Sequence, residues 1–417
     1  MSDRVVIIGA SVGGIRTAQE LRKLGFDGDI TVVGAEAEQP YDKPPLSKQL
    51  LLGTRSESDI SLLGEGGWEA LGVTPRLGVR AESLDIDSME VRLSDGDDLE
   101  YDALVIATGV RPRTLAPEFH ELDSVFTVRE IAHARALAER AALGPVVIIG
   151  AGFIGAEIAS SFRSLGAAVT LVEALSAPFA RVLGDEVGAL LADLQRENGV
   201  ELLTEAAVES IERHGERTSV RLTDGRTLEA ATVVVGIGSI PNTEWLKGSG
   251  LKITDGVVTD AGCAVQPDGF GPHAESVFAI GDVARQIDPK TGKDYRVEHW
   301  TNAAEQAHVA ARQILDPTSE PSSLPAPYFW SDQFGIKIQM VGRPGEATSV
   351  TLRRFSVKGA ERTVAVFEND GAFAAAVTFG WPRALGTCRQ AWEAGSTAAE
   401  VIEKLTALAD QNAPAPA

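Results

Sequence analysis

Short apolar runs and glycine turns alternate along this chain, and the first such pair occurs twice. The string VVIIGA spans residues 5–10 and again residues 146–151. Four consecutive apolar residues followed by glycine are typical of a strand that is buried on both faces of a parallel sheet and ends in a tight turn. The pattern therefore predicts the same buried strand and turn at two places in the chain.

A helical period follows each turn. Apolar residues recur every three or four positions at Ile15, Ala18, Leu21 and Leu24 in the first copy, and at Ile154, Ile158, Phe162 and Leu165 in the second. Each pattern ends near a glycine, and a second β-rich run follows (DITVVGAE and AVTLVEA). Each copy is thus predicted to be a βαβ unit of the kind that binds dinucleotides.

The second copy carries a complete GxGxxG at Gly150, Gly152 and Gly155. Glycine at these positions permits a tight turn, close approach of a pyrophosphate to backbone N–H groups, and close packing of the helix on the strand. Glu173 ends the next strand, where a carboxylate can bind a ribose hydroxyl.

The first copy is less regular. Gly9 and Gly14 keep the outer two positions, but Ser11 stands where the middle glycine would be and leaves less room for a pyrophosphate. Glu36 is the candidate ribose acceptor and lies slightly beyond the predicted end of the strand. Glycine turns can also serve packing alone, but two copies in full βαβ context favour two dinucleotide sites.

The similarity continues downstream, where residues 91–112 (VRLSDGDDLEYDALVIATGVRP) align without gaps with residues 220–241 (VRLTDGRTLEAATVVVGIGSIP). Both stretches begin with alternating residues around a DG turn, which predicts a β-hairpin, and end in a buried strand and a glycine turn. Two related dinucleotide-binding domains are therefore predicted. An enzyme with two dinucleotides is expected to pass electrons between a tightly bound flavin and an exchanging nicotinamide.

Composition narrows the class of protein. The 417 residues carry 38 basic and 59 acidic side chains, a formal charge of −21, which argues against non-specific nucleic-acid binding. Neither a membrane span nor a signal peptide is expected from the apolar pattern. Cys263 and Cys388 form no CxxC pair and no disulfide framework, which fits a reducing cytoplasm. The six histidines show no close ligand spacing, so no metal site is expected.

A third segment, SVFAIGDVAR at residues 276–285, predicts a short strand, a turn and Asp282 at a helix start. After two nucleotide domains it is similar to the FxxGD segment that binds the ribityl and pyrophosphate part of FAD. It lies C-terminal to the second copy, so the second domain is predicted to be inserted into the first.

Longer motifs make the resemblance specific: PYDKPPLSK (40–48), IATGVRPR (106–113), VVIIGAGFIGAE (146–157), FAIGD (278–282), VEHWTNAAEQ (297–306) and FWSDQFG (329–335). Together they resemble the FAD-dependent NADH:ferredoxin reductases of oxygenase electron-transfer chains, the putidaredoxin reductase and biphenyl dioxygenase reductase family. Apoptosis-inducing factor shares this fold. The resemblance covers nearly all of residues 3–405.

The resemblance implies an α/β fold with two Rossmann-like dinucleotide-binding domains, the NAD domain inserted in the FAD domain, and a C-terminal α+β domain. The expected boundaries are 1–115 and 245–322 for the FAD domain, 116–244 for the NAD domain, 323–409 for the α+β domain and 410–417 for a disordered tail. In the C-terminal domain, four strand-like runs (GIKIQMVG, VTLRRFS, RTVAVFE and AFAAAVTFG) precede helical patterns that start at Leu385 and Ala398.

The resemblance also implies residue roles by position. Lys48 would lie beside the flavin near its N5 edge, Glu157 would pair with that lysine and face the nicotinamide, and Trp300 would line the place where the two rings meet. FAD contacts are implied for Gly9, Ser11, Gly13, Gly14, Ala35, Glu36, Lys43, Pro45, Lys48, Ala81, Thr108, Gly109, Arg113, Asp282, Val283, His299, Trp300 and Trp330. NAD contacts are implied for Gly150, Gly152, Phe153, Ile154, Gly155, Glu157, Glu173, Arg181, Gly238 and Glu298. Without the resemblance, the charged pair would read as a surface ion pair and the tryptophans as core residues.

Two further departures from the family pattern concern FAD. Ala35 stands where relatives can carry an acid, so Glu36 is expected to carry more of the ribose contact, and Lys43 stands where an arginine with bidentate geometry is common. Glu173 predicts NADH over NADPH. A 2′-phosphate about 4 Å from a carboxylate is repelled by ~4 kcal/mol per unit charge at an effective dielectric near 20, and no arginine occupies residues 174–176.

The implied activity is hydride transfer from NADH to FAD and single-electron transfer to a [2Fe–2S] or [3Fe–4S] ferredoxin that feeds a cytochrome P450 or a Rieske oxygenase. Disulfide reductases and thiol peroxidases of this fold are disfavoured because the first 262 residues contain no cysteine. A rubredoxin reductase, or a redox-sensing flavoprotein like apoptosis-inducing factor, remains the alternative. Lys337, Arg343, Arg353 and Arg354 are either docking charges or ordinary surface charges. A cytoplasmic monomer or weak dimer without nucleic-acid or membrane partners is expected.

Overall fold

The computed structural model describes residues 3–116, 119, 122–215, 217–269, 273–289, 291–321 and 325–411. The chain forms two compact units. Unit 1 comprises Met1–Asp42, Glu57–Arg111 and Ser239–Leu324, and unit 2 comprises Lys43–Ser56, Pro112–Gly238 and Pro325–Ala417. The three-domain division stays a prediction, and most of the expected tail at 410–417 lies outside the described residues.

Unit 1 is built on a five-stranded parallel sheet. Its strands are β1 (Arg4–Ile8), β2 (Asp29–Gly34), β3 (Thr74–Leu77), β7 (Ala103–Ile106) and β20 (Val277–Ala279). They lie in the order β20-β7-β1-β2-β3, and every neighbouring pair is parallel. The first VVII run forms most of the central strand and is buried on both faces, as its apolar pattern predicts.

Helices and smaller sheets complete unit 1. Its helices are α1 (Val12–Lys23), α2 (Gly67–Leu71) and α6 (Trp300–Leu315). An antiparallel sheet is formed by β4 (Ala81–Asp85), β5 (Glu90–Leu93) and β6 (Asp98–Glu100), and another sheet by β18 (Ile253–Thr254), β19 (Gly256–Thr259), β21 (Ala284–Ile287) and β22 (Asp294–Arg296). β8 (Val110–Pro112) pairs with β17 (Ser239–Pro241).

One local prediction in unit 1 is wrong. Asp282 does not start an α-helix but lies in a single 3₁₀ turn, Gly281–Val283, which leads directly into β21. The reason is visible in the pairing, because residues 284–286 form a parallel ladder with β19 and their backbone groups are used there.

Unit 2 repeats the arrangement of unit 1. Its parallel sheet contains β9 (Val125–Phe126), β10 (Val146–Ile149), β11 (Val169–Val172), β12 (Glu201–Leu203) and β16 (Thr232–Val235). Read from β9, the order β9-β16-β10-β11-β12 is that of unit 1 read from β20. The second VVII run is again the central strand, so the predicted duplication of a Rossmann-like core is confirmed.

The same unit holds three helices and a second antiparallel sheet. The helices are α3 (Ile131–Arg140), α4 (Phe153–Ser164) and α5 (Ala180–Glu197), the last interrupted at Gly184 by non-helical backbone angles. The sheet consists of β13 (Val208–His214), β14 (Arg217–Leu222) and β15 (Thr227–Ala230). In both units the predicted hairpin at the DG turn is joined by a preceding third strand.

The C-terminal part of unit 2 is a five-stranded antiparallel sheet with two helices. The strands are β23 (Tyr328–Gln333), β24 (Ile336–Gly342), β25 (Ser349–Val357), β26 (Ala360–Asn369) and β27 (Ala372–Phe379), in the order β23-β24-β27-β26-β25. The helices are α7 (Pro382–Glu393) and α8 (Ala398–Asp410), the latter begun by a capping box of Thr397 and Glu400. Four strands match predicted runs, whereas β23 was not predicted as a strand.

Within the described part of the chain, no helix combines the length and the apolar character needed to cross a lipid bilayer.

Candidate functional site

The glycine turn of unit 2 is shaped by backbone contacts that exclude side chains. Gly150 has φ +98°, and a Cβ there would lie 2.3 Å from the carbonyl oxygen of Gly236. A Cβ on Gly155 would lie 2.0 Å from the carbonyl oxygen of Gly150. Gly152 is different, because a Cβ there would meet no atom within 4 Å among the described residues. The outer two glycines are therefore required by the turn itself, and the middle one borders open space.

The turn of unit 1 has the same construction. Gly9 has φ +126° and its Cβ would lie 2.1 Å from the carbonyl oxygen of Ala107, and a Cβ on Gly14 would lie 1.8 Å from the carbonyl oxygen of Gly9. Ser11 has extended backbone angles, φ −103° and ψ −164°, which any residue adopts. The serine therefore costs the turn no strain.

Both turns end at the N-terminus of a helix whose first N–H groups receive no side-chain cap from the described residues. The N-cap residues are Ser11 for α1 and Gly152 for α4, and neither makes a capping hydrogen bond. Uncapped N–H groups and the positive end of the helix dipole favour a bound anion. Each turn thus fits the pyrophosphate of a dinucleotide.

The two predicted ribose carboxylates are held in different ways. Glu173 follows β11 directly, and its carboxylate accepts hydrogen bonds from the backbone N–H groups of Ala151 at 2.8 Å and Leu175 at 2.9 Å. Glu36 lies two residues beyond the end of β2 and accepts a hydrogen bond from the Tyr41 hydroxyl. The first carboxylate is therefore tied to its glycine turn, and the second is held by a side chain of the following loop.

Lys48 and Glu157 form a buried ion pair in unit 2. The Lys48 Nζ lies 2.9 Å from Glu157 Oε1, and both side chains are less than a tenth exposed. Ser47 donates to Glu157 Oε2 at 2.5 Å, and Ser331 donates to Oε1 at 2.8 Å. The backbone N–H of Asp332 also points to Oε1, at 3.3 Å. The pair is buried and is not the surface ion pair that would be expected without the resemblance. The donors around the carboxylate offset part of the cost of removing the two charges from water.

In unit 1, Trp300 begins α6 and its indole Nε1–H donates to Asp42 Oδ1 at 2.7 Å. The guanidinium of Arg16 lies over its ring, 5.9 Å from the ring centroid. The preceding residue, His299, is the N-cap of the helix, and burial lowers its pKa to about 4, so the imidazole is neutral near pH 7. Trp300 is held by polar contacts at a helix N-terminus and is only partly buried.

Arg296 connects two other predicted positions of unit 1. Its guanidinium donates to the backbone carbonyl of Asp282 at 3.3 Å and pairs with Glu298 and with Asp255. Glu298 also accepts from the Ser239 hydroxyl at 2.5 Å. Burial alone would lower the pKa of Arg296, but its two carboxylate partners raise it, so the side chain stays charged.

The remaining predicted positions of unit 1 lie around the carboxyl ends of its parallel strands and in the adjoining strands. Thr108 exchanges two hydrogen bonds with Asn242, each of 2.9 Å, and Gly109 follows it with φ +60°. Gly13 packs against Ile280, Val283 is buried, Ala35 is exposed and Ala81 begins β4.

The remaining positions of unit 2 lie in six separate segments. Lys43 Nζ donates to the carbonyl of Arg129 at 3.2 Å, and the Arg113 backbone N–H donates to the carbonyl of Gly238 at 2.8 Å. Pro45 is buried in the 3₁₀ turn Pro44–Ser47. Phe153 packs against Phe179 and Phe329, Ile154 is 47% exposed, Arg181 is exposed on α5, and Trp330 stacks on Tyr328 with centroids 5.9 Å apart.

Both cysteines are buried thiols. Burial raises the pKa of Cys388 to about 12 and that of Cys263 further still. The thiolate is the nucleophile in disulfide exchange, so neither residue is prepared for it near neutral pH.

Sequence reasoning missed the polar residues that surround Glu157. Ser47 and Ser331 lie inside the motifs PPLSK and FWSDQ, for which the resemblance implies roles at Lys48 and Trp330 and none at the serines. The available signal was polarity within a buried segment: Ser331 and Gln333 alternate on one face of β23, and both are fully buried.

Comparisons with known proteins agree with this geometry. Residues 3–307 match the model of the pyridine nucleotide-disulphide oxidoreductase family, and residues 328–413 match the reductase C-terminal family. The chain is 34% identical over 396 residues to the anthranilate 1,2-dioxygenase system ferredoxin–NAD(+) reductase component of Burkholderia cepacia, with 95% of each chain covered.

Two solved structures are also similar. The covalent putidaredoxin reductase–putidaredoxin complex matches with a TM-score of 0.86 and 30% identity, over 93% of this chain and 92% of that one. The ferredoxin reductase for the CYP199A2 system from Rhodopseudomonas palustris matches with a TM-score of 0.88 and 28% identity, over 99% and 100% of the two chains. The chain belongs to the pyridine nucleotide-disulphide oxidoreductase family and carries the reductase C-terminal domain.

Proposed function

We propose that this protein is an FAD-dependent NADH:ferredoxin reductase that supplies electrons to an oxygenase. The observation that carries the proposal is the pair of matching glycine turns, each ending at an uncapped helix N-terminus. A chain with two such turns is built for two dinucleotides. The names of its relatives supply the acceptor, because those proteins are ferredoxin reductases of dioxygenase and P450 systems.

We assign FAD to the first glycine turn and NADH to the second. Gly9, Gly14 and the N-terminus of α1 would hold the FAD pyrophosphate, Glu36 its ribose, and Asp282 with the Gly281–Val283 turn its ribityl region. The corresponding NADH contacts would come from Gly150, Gly155, the N-terminus of α4 and Glu173. The segments 1–115 and 245–322 are assigned to the FAD domain and 116–244 to the NAD domain.

When bound, the flavin accepts a hydride as an electron pair and can release the electrons one at a time, which a one-electron acceptor requires. The chain's own residues would bind the flavin and the nicotinamide and orient them toward each other. Glu157 fixes the Lys48 ammonium in a buried position, where a positive charge acts strongly on a neighbouring ring. Neutral His299 and half-buried Trp300 would border the nicotinamide without adding charge.

The acceptor is proposed to be a [2Fe–2S] or [3Fe–4S] ferredoxin in the cytoplasm. Of the candidate docking charges, Lys337 and Arg354 face carboxylates at 3.7 Å, Asp332 and Glu361 respectively, and Arg353 is exposed on β25. Ion pairs of this length at the surface contribute little to stability, so these cations are available to a partner with acidic residues.

The test begins with the flavin. Heat release and chromatography of the bound chromophore should identify FAD, and anaerobic stopped-flow mixing with NADH should bleach it rapidly. Mixing the reduced protein with a panel of [2Fe–2S] and [3Fe–4S] ferredoxins and a rubredoxin should show fast transfer to a ferredoxin. Fast bleaching with no acceptor better than oxygen would overturn the proposal in favour of a redox-sensing flavoprotein, and transfer to rubredoxin alone would make the protein a rubredoxin reductase.

A further inference from the structure

The Glu157 carboxylate receives donors from two separate stretches of unit 2. Ser47 ends the 3₁₀ turn Pro44–Ser47 and Lys48 follows it directly. Ser331 and the Asp332 N–H belong to β23. Oε1 is shared, with Lys48 Nζ at 2.9 Å and Ser331 Oγ at 2.8 Å. The same oxygen that holds the lysine is thus held in turn by the C-terminal region.

The β23 end is itself fixed on the helices of unit 2. The backbone N–H of Phe334 donates to Ser160 Oγ at 2.7 Å, and Gln195 on α5 donates to Gln333 Oε1 at 2.9 Å. Gln333 donates to Ser331 Oγ at 3.1 Å, so the serine hydroxyl accepts from one side and donates to the carboxylate on the other. With an N–H donor on one side of the hydroxyl and a carboxylate on the other, the hydroxyl hydrogen points to the carboxylate.

We propose that Ser331 is a positioning residue for hydride transfer and that it acts through Glu157 on Lys48. The inference rests on the proposed function, in which the Lys48–Glu157 pair serves the reaction with NADH. The region that matches the reductase C-terminal family would then take part in the reaction, because Ser331 and the Asp332 N–H complete the hydrogen bonds of the buried ion pair.

Packing alone does not account for a serine at this place. Ser331 is fully buried, and a buried hydroxyl costs free energy unless it is hydrogen-bonded. An alanine would fill nearly the same volume without that cost. The hydroxyl instead gives the carboxylate one of the donors that a buried charge needs. Without it, Oε1 would be held by Lys48 and by the 3.3 Å contact with the Asp332 N–H, so the carboxylate would position Lys48 less firmly.

The experiment is a double-mutant cycle of Ser331→Ala and Glu157→Gln, measured on the flavin-loaded protein. Anaerobic stopped-flow reduction over a range of NADH concentrations gives the limiting rate and the apparent Kd separately. Ser331→Ala should lower the limiting rate about tenfold and leave the Kd for NADH within about twofold, since a hydrogen bond to a charged group is lost and no NADH contact is removed. In the Glu157→Gln background the same change should have almost no effect, because coupled residues are non-additive.

Two variants separate positioning from folding. Ser331→Thr keeps the hydroxyl and should restore most of the rate. Thr378→Val is the matched control, because Thr378 is fully buried in the same sheet and its hydroxyl makes no hydrogen bond with the described residues. Urea unfolding of all variants supplies a second readout, and the destabilisation by Ser331→Ala should also shrink when Glu157 is already Gln.

Three results would count against the inference, and they can be told apart. If NADH reduces the wild type and Ser331→Ala equally fast, Ser331 is not a positioning residue although the proposed function stands. If Ser331→Ala slows reduction by the same factor in both backgrounds, it does not act through Glu157. If NADH does not reduce the wild-type protein, the proposed function fails, and the catalytic part of the inference fails with it, whatever the unfolding cycle gives.

Discussion

The glycine turns of the two units differ at one position although their backbones agree. Gly13 and Ile154 each stand directly before the last glycine of their turn. A Cβ on Gly13 would lie 3.4 Å from the side chain of Ile280, so this turn is covered by the end of a neighbouring strand. Ile154 is 47% exposed. One turn is enclosed and the other is open, which suits a cofactor that stays and a cofactor that exchanges.

The predicted ribose carboxylates, Glu173 and Glu36, also stand at different positions relative to their turns. Gly9 N–H donates to the Val33 carbonyl and Gly150 N–H to the Val172 carbonyl, each at 2.8 Å, so Gly34 is the structural equivalent of Glu173. A Cβ on Gly34 would lie 2.8 Å from the Cβ of Ala10. Unit 1 therefore has no room for a side chain there, and its acid follows two residues later at Glu36. The comparison teaches that backbone contacts require the outer two glycines of each turn, while the packing beside the turn decides where its carboxylate can stand.

The largest expected effect comes from the glycines that both turns need. Gly14→Ala and Gly155→Ala each place a methyl group within 2 Å of a carbonyl oxygen, so each should destabilise its unit by more than ~4 kcal/mol or prevent folding. Urea unfolding and flavin content measure the outcome. Gly152→Ala is the control and should cost less than ~1 kcal/mol, because its Cβ meets open space. A loss in Gly152→Ala as large as in the other two variants would contradict the steric explanation, and unequal losses in Gly14→Ala and Gly155→Ala would contradict the equivalence of the turns.

The next effect concerns the helix that follows each turn. Glu157 and Arg16 both lie two positions after the last glycine, but Glu157 is buried in an ion pair and Arg16 is exposed. Glu157→Gln leaves Lys48 buried without a countercharge and should cost ~3 kcal/mol of unfolding free energy. Arg16→Gln should change it by less than about 0.5 kcal/mol. Similar changes for the two variants would show that the buried pair carries no net stability.

A smaller effect is expected for nucleotide choice. Glu173→Ala should narrow the preference for NADH over NADPH roughly a hundredfold, because it removes a carboxylate whose repulsion of a 2′-phosphate is worth up to ~4 kcal/mol per unit charge. The KM of Glu173→Ala for NADH should also rise above the wild-type value, since the carboxylate that holds the Ala151 N–H is lost. Steady-state rates with both cofactors decide the point. Glu36→Ala is the matched change in unit 1 and should leave the NADH-to-NADPH ratio unaltered. If the ratio changes in Glu36→Ala and not in Glu173→Ala, the two assignments are exchanged.

The sequence predicted the duplicated core because that information is local. Apolar runs, helical spacing and the glycines of each turn are all contained within about 35 residues, and strands β1 and β10 lie where the pattern places them. The surroundings of Glu157 could not be predicted this way. Ser331 reaches it across 174 positions of sequence, and its role depends on how β23 packs against α4. The false helix at Asp282 has the same origin, since pairing with β19 overrode a local start signal.

The smallest effect tests the open turn itself. Ile154→Ala removes a side chain that is already about half exposed, so the free energy of unfolding should change by less than about 0.5 kcal/mol. If NADH covers this side chain, the KM for NADH should rise about fivefold, corresponding to roughly 1 kcal/mol of lost apolar burial. Gly13→Ala is the counterpart in the enclosed turn, where the new methyl is in ordinary contact with Ile280, and it should leave the KM for NADH unchanged. An Ile154→Ala variant with wild-type KM would mean that NADH does not cover this turn, and the distinction between an enclosed and an open site would lose its functional meaning.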